Sequence, residues 1–240
     1  MALPRIDTPT YELTLPLSKK QIIFRPFLVK EQKILLMAGE SGEKDSIVRA
    51  LKQVLQNCTL SEVKIESLPL LDIEYYFLNI RARSVGEIVE MKYKCENEVD
   101  SIICGNNLDV SFNLLEIEVK NSENFNDTVM ITDVIGIKFK HPDYSLFEKI
   151  SENQNPADMA LDIIVNSVDY IFEGDTFHYA AETPKEEIHE FLDSLSQNKF
   201  EMIEKIFENL PYLKKDVPIK CSKCGYEHLV KMEGLESFFV

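Results

Sequence analysis

Four of the five cysteines in this 240-residue chain form two distant pairs that could bind a metal ion together. The first pair is Cys95 and Cys104, and Gly105 follows it. The second pair lies in Cys221-Ser-Lys-Cys224, and Gly225 follows it. Four thiolates arranged in this way suit a tetrahedral zinc ion, and closed sites of this type stabilise a fold rather than catalyse a reaction. We therefore predict a structural Zn²⁺ site with the ligands Cys95, Cys104, Cys221 and Cys224.

The spacing of the first pair leaves alternatives open. Eight residues separate Cys95 from Cys104, whereas about two to four are usual within a zinc knuckle. One alternative is a set of paired thiols without a metal. Another is a redox-active Cys-x-x-Cys, although that motif is typical of a βαβ unit rather than of a link between two strands. His228, four residues after Cys224, is a candidate to replace one thiolate. The remaining cysteine, Cys58, ends an apolar helical pattern and is expected to be a buried thiol.

Strand patterns flank both cysteine pairs. Residues 86–94 alternate between apolar and polar positions and lead into Cys95, and residues 108–112 form a return strand. Residues 217–220 and 228–232 flank the second pair in the same way. A glycine after each pair permits the tight turn around a metal. We therefore predict a zinc-ribbon-like element with four cysteine ligands, formed by two distant knuckles, which brings the C-terminus back onto the middle of the chain.

The N-terminal region predicts a β-hairpin and a helical body, so the expected fold class is α+β. Alternating residues interrupted by Pro16 and Pro26 predict the hairpin within residues 1–28. Apolar residues at helical spacing then predict three helices, at 29–38, 43–57 and 70–83.

Between the cysteine pairs lies a long insertion. Its patterns predict strands near 128–132, 136–140 and 168–172, and helices near 144–151, 157–168, 185–195 and 198–208. Thr183 and Glu186 have the spacing of a capping box at the start of one helix. We therefore divide the chain into three regions: residues 1–85 as the N-terminal hairpin and helical region, 86–112 with 217–240 as the ribbon and C-terminal tail, and 113–216 as an inserted α/β and then helical region.

The chain is strongly acidic. It contains 41 Asp and Glu residues against 26 Lys and Arg residues, which gives a formal net charge of -15. Such a surface repels nucleic acid, because Lys and Arg contacts to phosphate supply most non-specific affinity. No apolar run approaches the roughly 18–20 residues of a membrane span, and the N-terminal segment lacks the apolar stretch of a signal peptide. We expect a protein kept in a reducing cytoplasm, where paired cysteines bind metals sooner than they form disulfides.

Motifs of common catalytic sites are missing from the sequence. It contains no Gly-x-x-x-x-Gly-Lys-Ser/Thr, Gly-x-Gly-x-x-Gly, His-Glu-x-x-His or Gly-x-Ser-x-Gly. Residues 39–44 have the letters of a phosphate-binding loop in the wrong order and follow a predicted helix, so we interpret them as a turn between helices. We therefore expect a protein that is not an enzyme and has no catalytic residues.

The C-terminus is unusually apolar for an acidic chain. Its last residues include Leu235, Phe238 and Phe239, whereas chain ends are usually polar unless they are docked. One interpretation is that these side chains pack onto the core of the protein. The other is that they anchor a linear motif in a partner's groove, since aromatic residues often serve as anchors. On the second interpretation, deletion of residues 238–240 weakens partner binding without unfolding the protein.

Several blocks of the sequence are similar to those of one known protein family. They are Leu3-Pro4, residues 24–36, 68–77 and 81–87, both Cys-Gly knuckles and residues 234–239. In combination they resemble the baseplate protein family of T4-like contractile-tailed bacteriophages, and the resemblance covers essentially the whole chain.

The resemblance implies a non-enzymatic assembly factor. Such a chaperone would help to form the central hub of the tail baseplate in the cytoplasm of the infected bacterium, by binding phage baseplate hub proteins. One alternative is a permanent structural component of the virion baseplate. A third hypothesis is a zinc-ribbon regulator that binds nucleic acid. Lysines near the knuckles favour it, at positions 92, 94, 220, 223 and 231, but glutamates lie beside them, at positions 90, 96, 98 and 227.

Overall fold

The structure is a computed structural model that describes residues 6–121, 125–146 and 155–238. Its antiparallel sheets and helices confirm the α+β class. In chain order the elements are β1 (Tyr11–Thr14), β2 (Gln21–Phe24), α1 (Val29–Ser41), α2 (Lys44–Cys58), α3 (Leu70–Val85), β3 (Ile88–Lys94), β4 (Glu98–Val99), β5 (Ile102–Ile103), β6 (Asn107–Asn113), β7 (Glu118–Lys120), β8 (Thr128–Met130), β9 (Ile135–Phe139), α4 (Pro156–Ser167), β10 (Val168–Glu173), β11 (Thr176–Tyr179), α5 (Lys185–Asp193), α6 (Gln197–Glu208), β12 (Tyr212–Lys220) and β13 (Glu227–Glu233).

The chain divides into two compact units. The first unit comprises Met1–Val63, Leu71–Lys120 and Tyr212–Val240, and the second comprises Lys64–Leu70 and Asn121–Pro211. The N-terminal region and the cysteine-bearing hairpins therefore share one unit. The three-region division made from the sequence is a finer one than this, and it stays a prediction.

The predicted N-terminal hairpin is confirmed, and a buried carboxylate holds its turn. Strands β1 and β2 pair antiparallel, from Tyr11 with Phe24 to Thr14 with Gln21. Asp72 on α3 is fully buried, and its two oxygens accept hydrogen bonds from the backbone N–H groups of Leu17 and Ser18, each at 2.8 Å. Both carboxylate oxygens are thus engaged by backbone donors, and these hydrogen bonds attach the hairpin to the helical body.

A second buried carboxylate starts the helical body. Glu31, in the first turn of α1, is fully buried and bonds to the Arg25 guanidinium at 3.0 Å. It also accepts a hydrogen bond from the N–H of Leu28 at 2.9 Å, which caps the helix. Burial raises the pKa of Glu31, but the hydrogen bonds from Arg25 and Leu28 and the positive charges of Arg25 and Lys30 together lower it by more, so its pKa lies below its ordinary value. The carboxylate is therefore charged at neutral pH.

The core of the first unit lies between α3 and the strands that carry the cysteines. Leu71, Leu78 and Ala82 face this core from the helix. The strand residues that pack against them are Val89, Val110, Phe112, Leu213, Val217 and Met232. The hairpin β3–β6 and the three-stranded sheet β13-β12-β7 are thus joined by apolar contacts as well as by the cysteines.

The second unit is a sheet covered by helices on one face. Its strand order is β11-β10-β9-β8, antiparallel throughout. Val129 and Ile137 on the sheet share a core with helix residues, which are Ile164, Val165, Ile188, Leu192, Ile203 and Ile206. The predicted strands are present, although part of the helix predicted at 144–151 lies outside the described residues.

The predicted capping box at Thr183 is wrong. Helix α5 begins at Lys185 with Pro184 as its cap residue, and no side chain caps it. The Thr183 hydroxyl instead donates to the carbonyl oxygen of Tyr179 at 3.0 Å. The hydroxyl is engaged by the preceding strand, so it does not accept from the helix N-terminus.

The buried Arg25–Glu31 pair predicts a large effect of neutralising Glu31. Glu31→Gln leaves the Arg25 charge without its partner and is expected to lower the free energy of unfolding by about 3 kcal/mol. Lys30→Gln is the control, because Lys30 contacts the same carboxylate at 3.4 Å but is 67% exposed. Its effect should stay below about 1 kcal/mol. Urea denaturation followed by circular dichroism measures both values.

The same pair has a defined pH dependence. The folded-state pKa of Glu31 is lowered. Its contribution to the free energy of unfolding is therefore fully present above the ordinary pKa of a glutamate and is lost as the pH falls through the folded-state pKa. The difference in free energy of unfolding between the wild type and Glu31→Gln should therefore become smaller as the pH is lowered. A difference that is constant with pH would contradict the ion pair.

Candidate metal centre

Two antiparallel hairpins deliver the cysteines to one place. The β3–β6 pair ends with Lys94 opposite Asn107, so Cys95 and Cys104 lie just beyond its last register position. The β12–β13 pair ends with Lys220 opposite Glu227, which places Cys221 and Cys224 at the equivalent position. The predicted strand–knuckle–strand pattern is thus present in both halves.

Both knuckles close with the same two backbone hydrogen bonds. The N–H of Cys95 donates to the carbonyl oxygen of Asn106 at 2.8 Å, and that of Cys221 donates to Tyr226 at 2.8 Å. In each knuckle the glycine N–H donates a hydrogen bond to the carbonyl oxygen of the first cysteine, at 2.9 Å. Gly105 and Gly225 have φ values of 60° and 73°, a region that glycine adopts without steric cost. The two glycines are therefore required by the turn geometry.

The unusual spacing of the first pair is explained by a small hairpin inside the knuckle. Strands β4 and β5 pair antiparallel. At the base of this hairpin, the N–H of Cys104 donates to the carbonyl oxygen of Asn97 at 2.8 Å. Asp100 and Ser101 form the turn with φ values of 51° and 64°, as two-residue hairpin loops require. The extra residues extend away from the knuckle and leave its closing hydrogen bonds unchanged.

The four sulfur atoms have separations that suit a tetrahedral metal ion. All four Sγ atoms lie within 4.8 Å of one another. Cys95 and Cys224 are 3.7 Å apart, and Cys104 and Cys221 are 3.8 Å apart. Zinc–sulfur bonds of about 2.3 Å in a tetrahedron give sulfur–sulfur distances of about 3.8 Å. A disulfide would need about 2.05 Å, and all four are free thiols. The predicted ligand set therefore comes together at metal-binding distance.

The surroundings of the sulfurs favour negative charge at one side of the site. The backbone N–H groups of Cys224 and Lys223 lower the pKa of the Cys221 thiol to about 6. Asn106 adds a side-chain amide 3.6 Å from the same sulfur, and Asn97 lies 3.7 Å from the Cys224 sulfur. Burial raises the pKa of Cys95 to about 12. A divalent cation would reverse that effect, since metal-bound thiols are deprotonated.

Asn97 and Asn106 were not predicted from the sequence as site residues. The feature that could have indicated them is their position, since each follows a cysteine of the first pair by two residues. His228 is also next to the site, with Nε2 3.1 Å from the Cys95 sulfur. The four sulfurs group together without its ring. Cys58 is fully buried, as expected, and burial raises its pKa to about 11.

The C-terminal residues differ in their environment. Phe238 is fully buried in the core of the first unit, where its ring centroid is 6.0 Å from that of Phe112. Leu235 is partly buried against the same core, and Phe239 lies outside the described residues. Phe238 thus has the packing role that was one of the two interpretations. The partner-binding role of the three residues stays a prediction.

Comparison with known proteins identifies the family. Residues 8–240 match the family described as T4 bacteriophage base plate protein. The chain belongs to this family. It is also similar to the baseplate hub assembly protein gp26 of Enterobacteria phage T4, with 26% identity over 230 residues, which cover 95% of this chain and 97% of that protein. No solved structure matches it.

Family membership gives this baseplate protein a role related to the phage baseplate. The resemblance found in the sequence is thereby confirmed at the level of the family. Among the described residues, every helix is too short or too polar to cross a bilayer.

The burial of Phe238 predicts that the C-terminus stabilises the fold. Phe238→Ala is expected to lower the free energy of unfolding by about 3–5 kcal/mol, because it leaves a cavity in the core. Phe177→Ala is the control, since that ring is 49% exposed. Urea denaturation distinguishes them, and equal small effects would contradict the observed packing. Removal of residues 238–240 is accordingly expected to destabilise the protein as well as to affect binding.

Proposed function

We propose that this baseplate protein is a non-enzymatic assembly factor, a chaperone for the hub of a contractile phage tail. The observation that carries the proposal is the relative named as a baseplate hub assembly protein, whose similarity extends over nearly the full length of both chains. The chain would act by binding other baseplate proteins in the cytoplasm of the infected bacterium.

We further propose that the four cysteines bind one structural zinc ion. The sulfur separations of 3.7 and 3.8 Å support this, and so does the donor set, since four thiolates are a common ligand set of structural zinc. Four protein ligands complete the tetrahedron and leave no open position for a substrate. A metal bound in this way would serve the fold, which agrees with a function that is not enzymatic.

The proposed zinc ion would join hairpins that are far apart in the chain. Cys95 and Cys224 are separated by 129 residues, and Cys104 and Cys221 by 117. Because a preformed site is absent from an unfolded chain, the free energy of metal binding adds to the free energy of folding. Loss of the metal would therefore loosen the end of the β3–β6 and β12–β13 hairpins first.

The hairpin inside the first knuckle offers a surface for a protein partner. Val99, Ile102 and Ile103 are 44%, 71% and 67% exposed, although apolar side chains of this size are usually buried. The exposed carboxylates of Glu98 and Asp100 lie on the same six-residue hairpin. Such a combination would cover an apolar surface on a partner, while its charge would favour partners with basic residues nearby.

Two of the five lysines near the knuckles form contacts within the protein, which favours a protein partner over nucleic acid. Lys220 forms an ion pair with Glu227 at 3.0 Å, and the Lys223 ammonium donates to the carbonyl of Cys104 at 3.1 Å. Both charges are engaged within the protein, and the chain as a whole carries a net charge of -15. A ribbon that binds nucleic acid needs cations directed at phosphates.

The zinc proposal predicts a metal content that depends on four of the five cysteines. The purified protein should contain about one zinc per chain, as expected of a single site with four thiolate ligands. Cys104→Ser and Cys221→Ser should each lose it, since each removes a thiolate ligand. Cys58→Ser is the matched control and should keep the metal, because Cys58 lies outside the sulfur cluster. Inductively coupled plasma mass spectrometry measures the content, and chelation should lower the melting temperature of the wild type.

A wild-type protein without zinc after purification under reducing conditions, or zinc retained in both ligand variants, would rule out the site. The assembly proposal does not depend on the zinc result, because it is tested by which proteins bind to the chain.

The assembly proposal predicts which proteins are recovered from infected cells. A tagged copy of the chain should co-purify with baseplate hub proteins, and Ile102→Ser/Ile103→Ser should recover less of them. Leu36→Ser/Met37→Ser is the control, because those side chains are also exposed, at 59% and 71%. Mass spectrometry of purified virions separates the alternatives. Absence of the chain from virions agrees with a chaperone, whereas stoichiometric presence indicates a permanent structural component.

A further inference from the structure

One face of the sheet in the second unit carries a cluster of aromatic rings. Tyr170 pairs with Tyr179 and Phe172 pairs with Phe177 across β10 and β11. Alternate residues of a strand face opposite sides of a sheet, so these four side chains share one side. The intervening residue Ile171 packs with the core that the helices cover. We call the four rings the aromatic face.

The aromatic face is closely packed within itself. The Tyr170 ring lies 5.4 Å from that of Phe177 and 5.6 Å from that of Tyr179, measured between centroids. Gly136 on β9 is opposite Phe172, and a Cβ atom at Gly136 would come within 2.3 Å of the Phe172 ring. A glycine is therefore needed for this ring to lie across the neighbouring strand. The cluster is a specific arrangement of side chains.

This face is also accessible. Phe177 and Tyr179 are 49% and 48% exposed, while aromatic side chains usually contribute to cores and interfaces. Contiguous exposed apolar surface of this kind marks sites of interaction.

Strand β11 is an open edge beside the aromatic face. Within the described residues no strand pairs with its outer side. The N–H of Ala180 donates to the carbonyl oxygen of Asp169 at 2.9 Å, so Ala180 and Asp169 occupy a hydrogen-bonded position of the β10–β11 ladder. Because such pairs alternate along an antiparallel ladder, Phe177 and Tyr179 are in non-hydrogen-bonded positions. The backbone N–H and C=O of Phe177 and the N–H of Tyr179 therefore point outward, where another strand could bind them. The Tyr179 carbonyl already accepts hydrogen bonds from the N–H of Glu182 and the Thr183 hydroxyl, so pairing would end at this residue.

Acidic residues predominate around this edge, although Lys140 and Lys185 lie near Tyr179 and Ala180 at its end. Residues 155–184 contain six Asp and Glu residues and no Lys or Arg. Four of the acidic residues flank β11 and are exposed, namely Asp169, Glu173, Asp175 and Glu182. On the side of the sheet opposite the aromatic face, Glu173, Glu187 and His178 line a groove of about 220 Å³. An added strand would thus meet aromatic rings on one side and carboxylates on the other.

We propose that β11 and the aromatic face bind an extended segment of a protein in which apolar and basic residues alternate. The segment would pair with β11 as a fifth strand, with its apolar side chains on the aromatic face and its Lys or Arg side chains toward Glu173 and Glu187. The expectation that the protein supplying this segment is a baseplate component rests on the proposed function. A second copy of β11 is a poorer occupant because it would bring the same carboxylates. Single-stranded nucleic acid stacks on aromatic rings but needs a basic groove, which residues 155–184 do not provide.

The test uses the full-length protein and overlapping synthetic peptides that cover the baseplate proteins of the same phage. Peptides with alternating apolar and basic residues should bind the wild type. Phe177→Ser/Tyr179→Ser should weaken binding at least about tenfold, since buried aromatic anchors dominate such contacts. Leu36→Ser/Met37→Ser should bind like the wild type. Both double variants replace exposed side chains, and circular dichroism confirms that they fold.

Backbone methylation of a bound peptide tests the mode of pairing. Methyl groups on alternate amides that face β11 should abolish binding, whereas methyl groups on the other alternate set should have little effect. Equal effects of the two sets, or equal binding by the Phe177→Ser/Tyr179→Ser variant, would overturn the proposal. So would binding of an oligo-dT probe at the aromatic face, or a dimer of the chain that this variant abolishes.

Two kinds of failure are distinguishable. If the wild type recovers hub proteins from infected cells and the Phe177→Ser/Tyr179→Ser variant recovers the same amount, the docking surface is wrong and the assembly function stands. If the wild type recovers no baseplate protein, the assembly function fails and a baseplate partner for this surface fails with it.

Discussion

The first unit of this protein brings together four cysteine sulfurs that are far apart in sequence. Cys95 and Cys104 lie at the end of one hairpin, and Cys221 and Cys224 lie at the end of another. The main segment of the second unit, Asn121–Pro211, is inserted between them, and its two ends leave from neighbouring positions, since Lys120 pairs with Tyr212. The chain therefore returns to its point of departure, and the hairpins can meet whatever the insertion contains.

Buried carboxylates provide a second set of constraints in the same unit. Glu31 holds Arg25 and caps α1, and Asp72 holds the turn of the N-terminal hairpin. Buried charges are tolerated only when they are paired or fully hydrogen-bonded, so these groups specify one arrangement of the surrounding chain. They lie within residues 24–36 and 68–77, two of the blocks that resemble the phage family. Those blocks thus correspond to identifiable interactions.

The exposed apolar residues are distributed in a way that fits a binding protein. Ile102 and Ile103 protrude on a hairpin beside the proposed metal, and Phe177 and Tyr179 lie on a sheet face of the second unit. Each group has carboxylates as neighbours in sequence. Apolar contact area provides affinity, while charges of one sign favour partners of the opposite sign. A zinc ion bound by the four thiolates, as proposed, would contribute rigidity to such a protein.

Short-range patterns in the sequence were enough to predict the local features, which are the four clustered cysteines, the glycine after each cysteine pair, the N-terminal hairpin and the strands beside each knuckle. These follow from short-range patterns, because alternation and turn residues act over a few positions. Tertiary structure decided which segments meet. It brought the two cysteine pairs together, placed a hairpin in the eight-residue gap, buried Phe238, and drew the Thr183 hydroxyl to Tyr179. It also aligned four aromatic rings through strand register, which depends on pairing between separate strands.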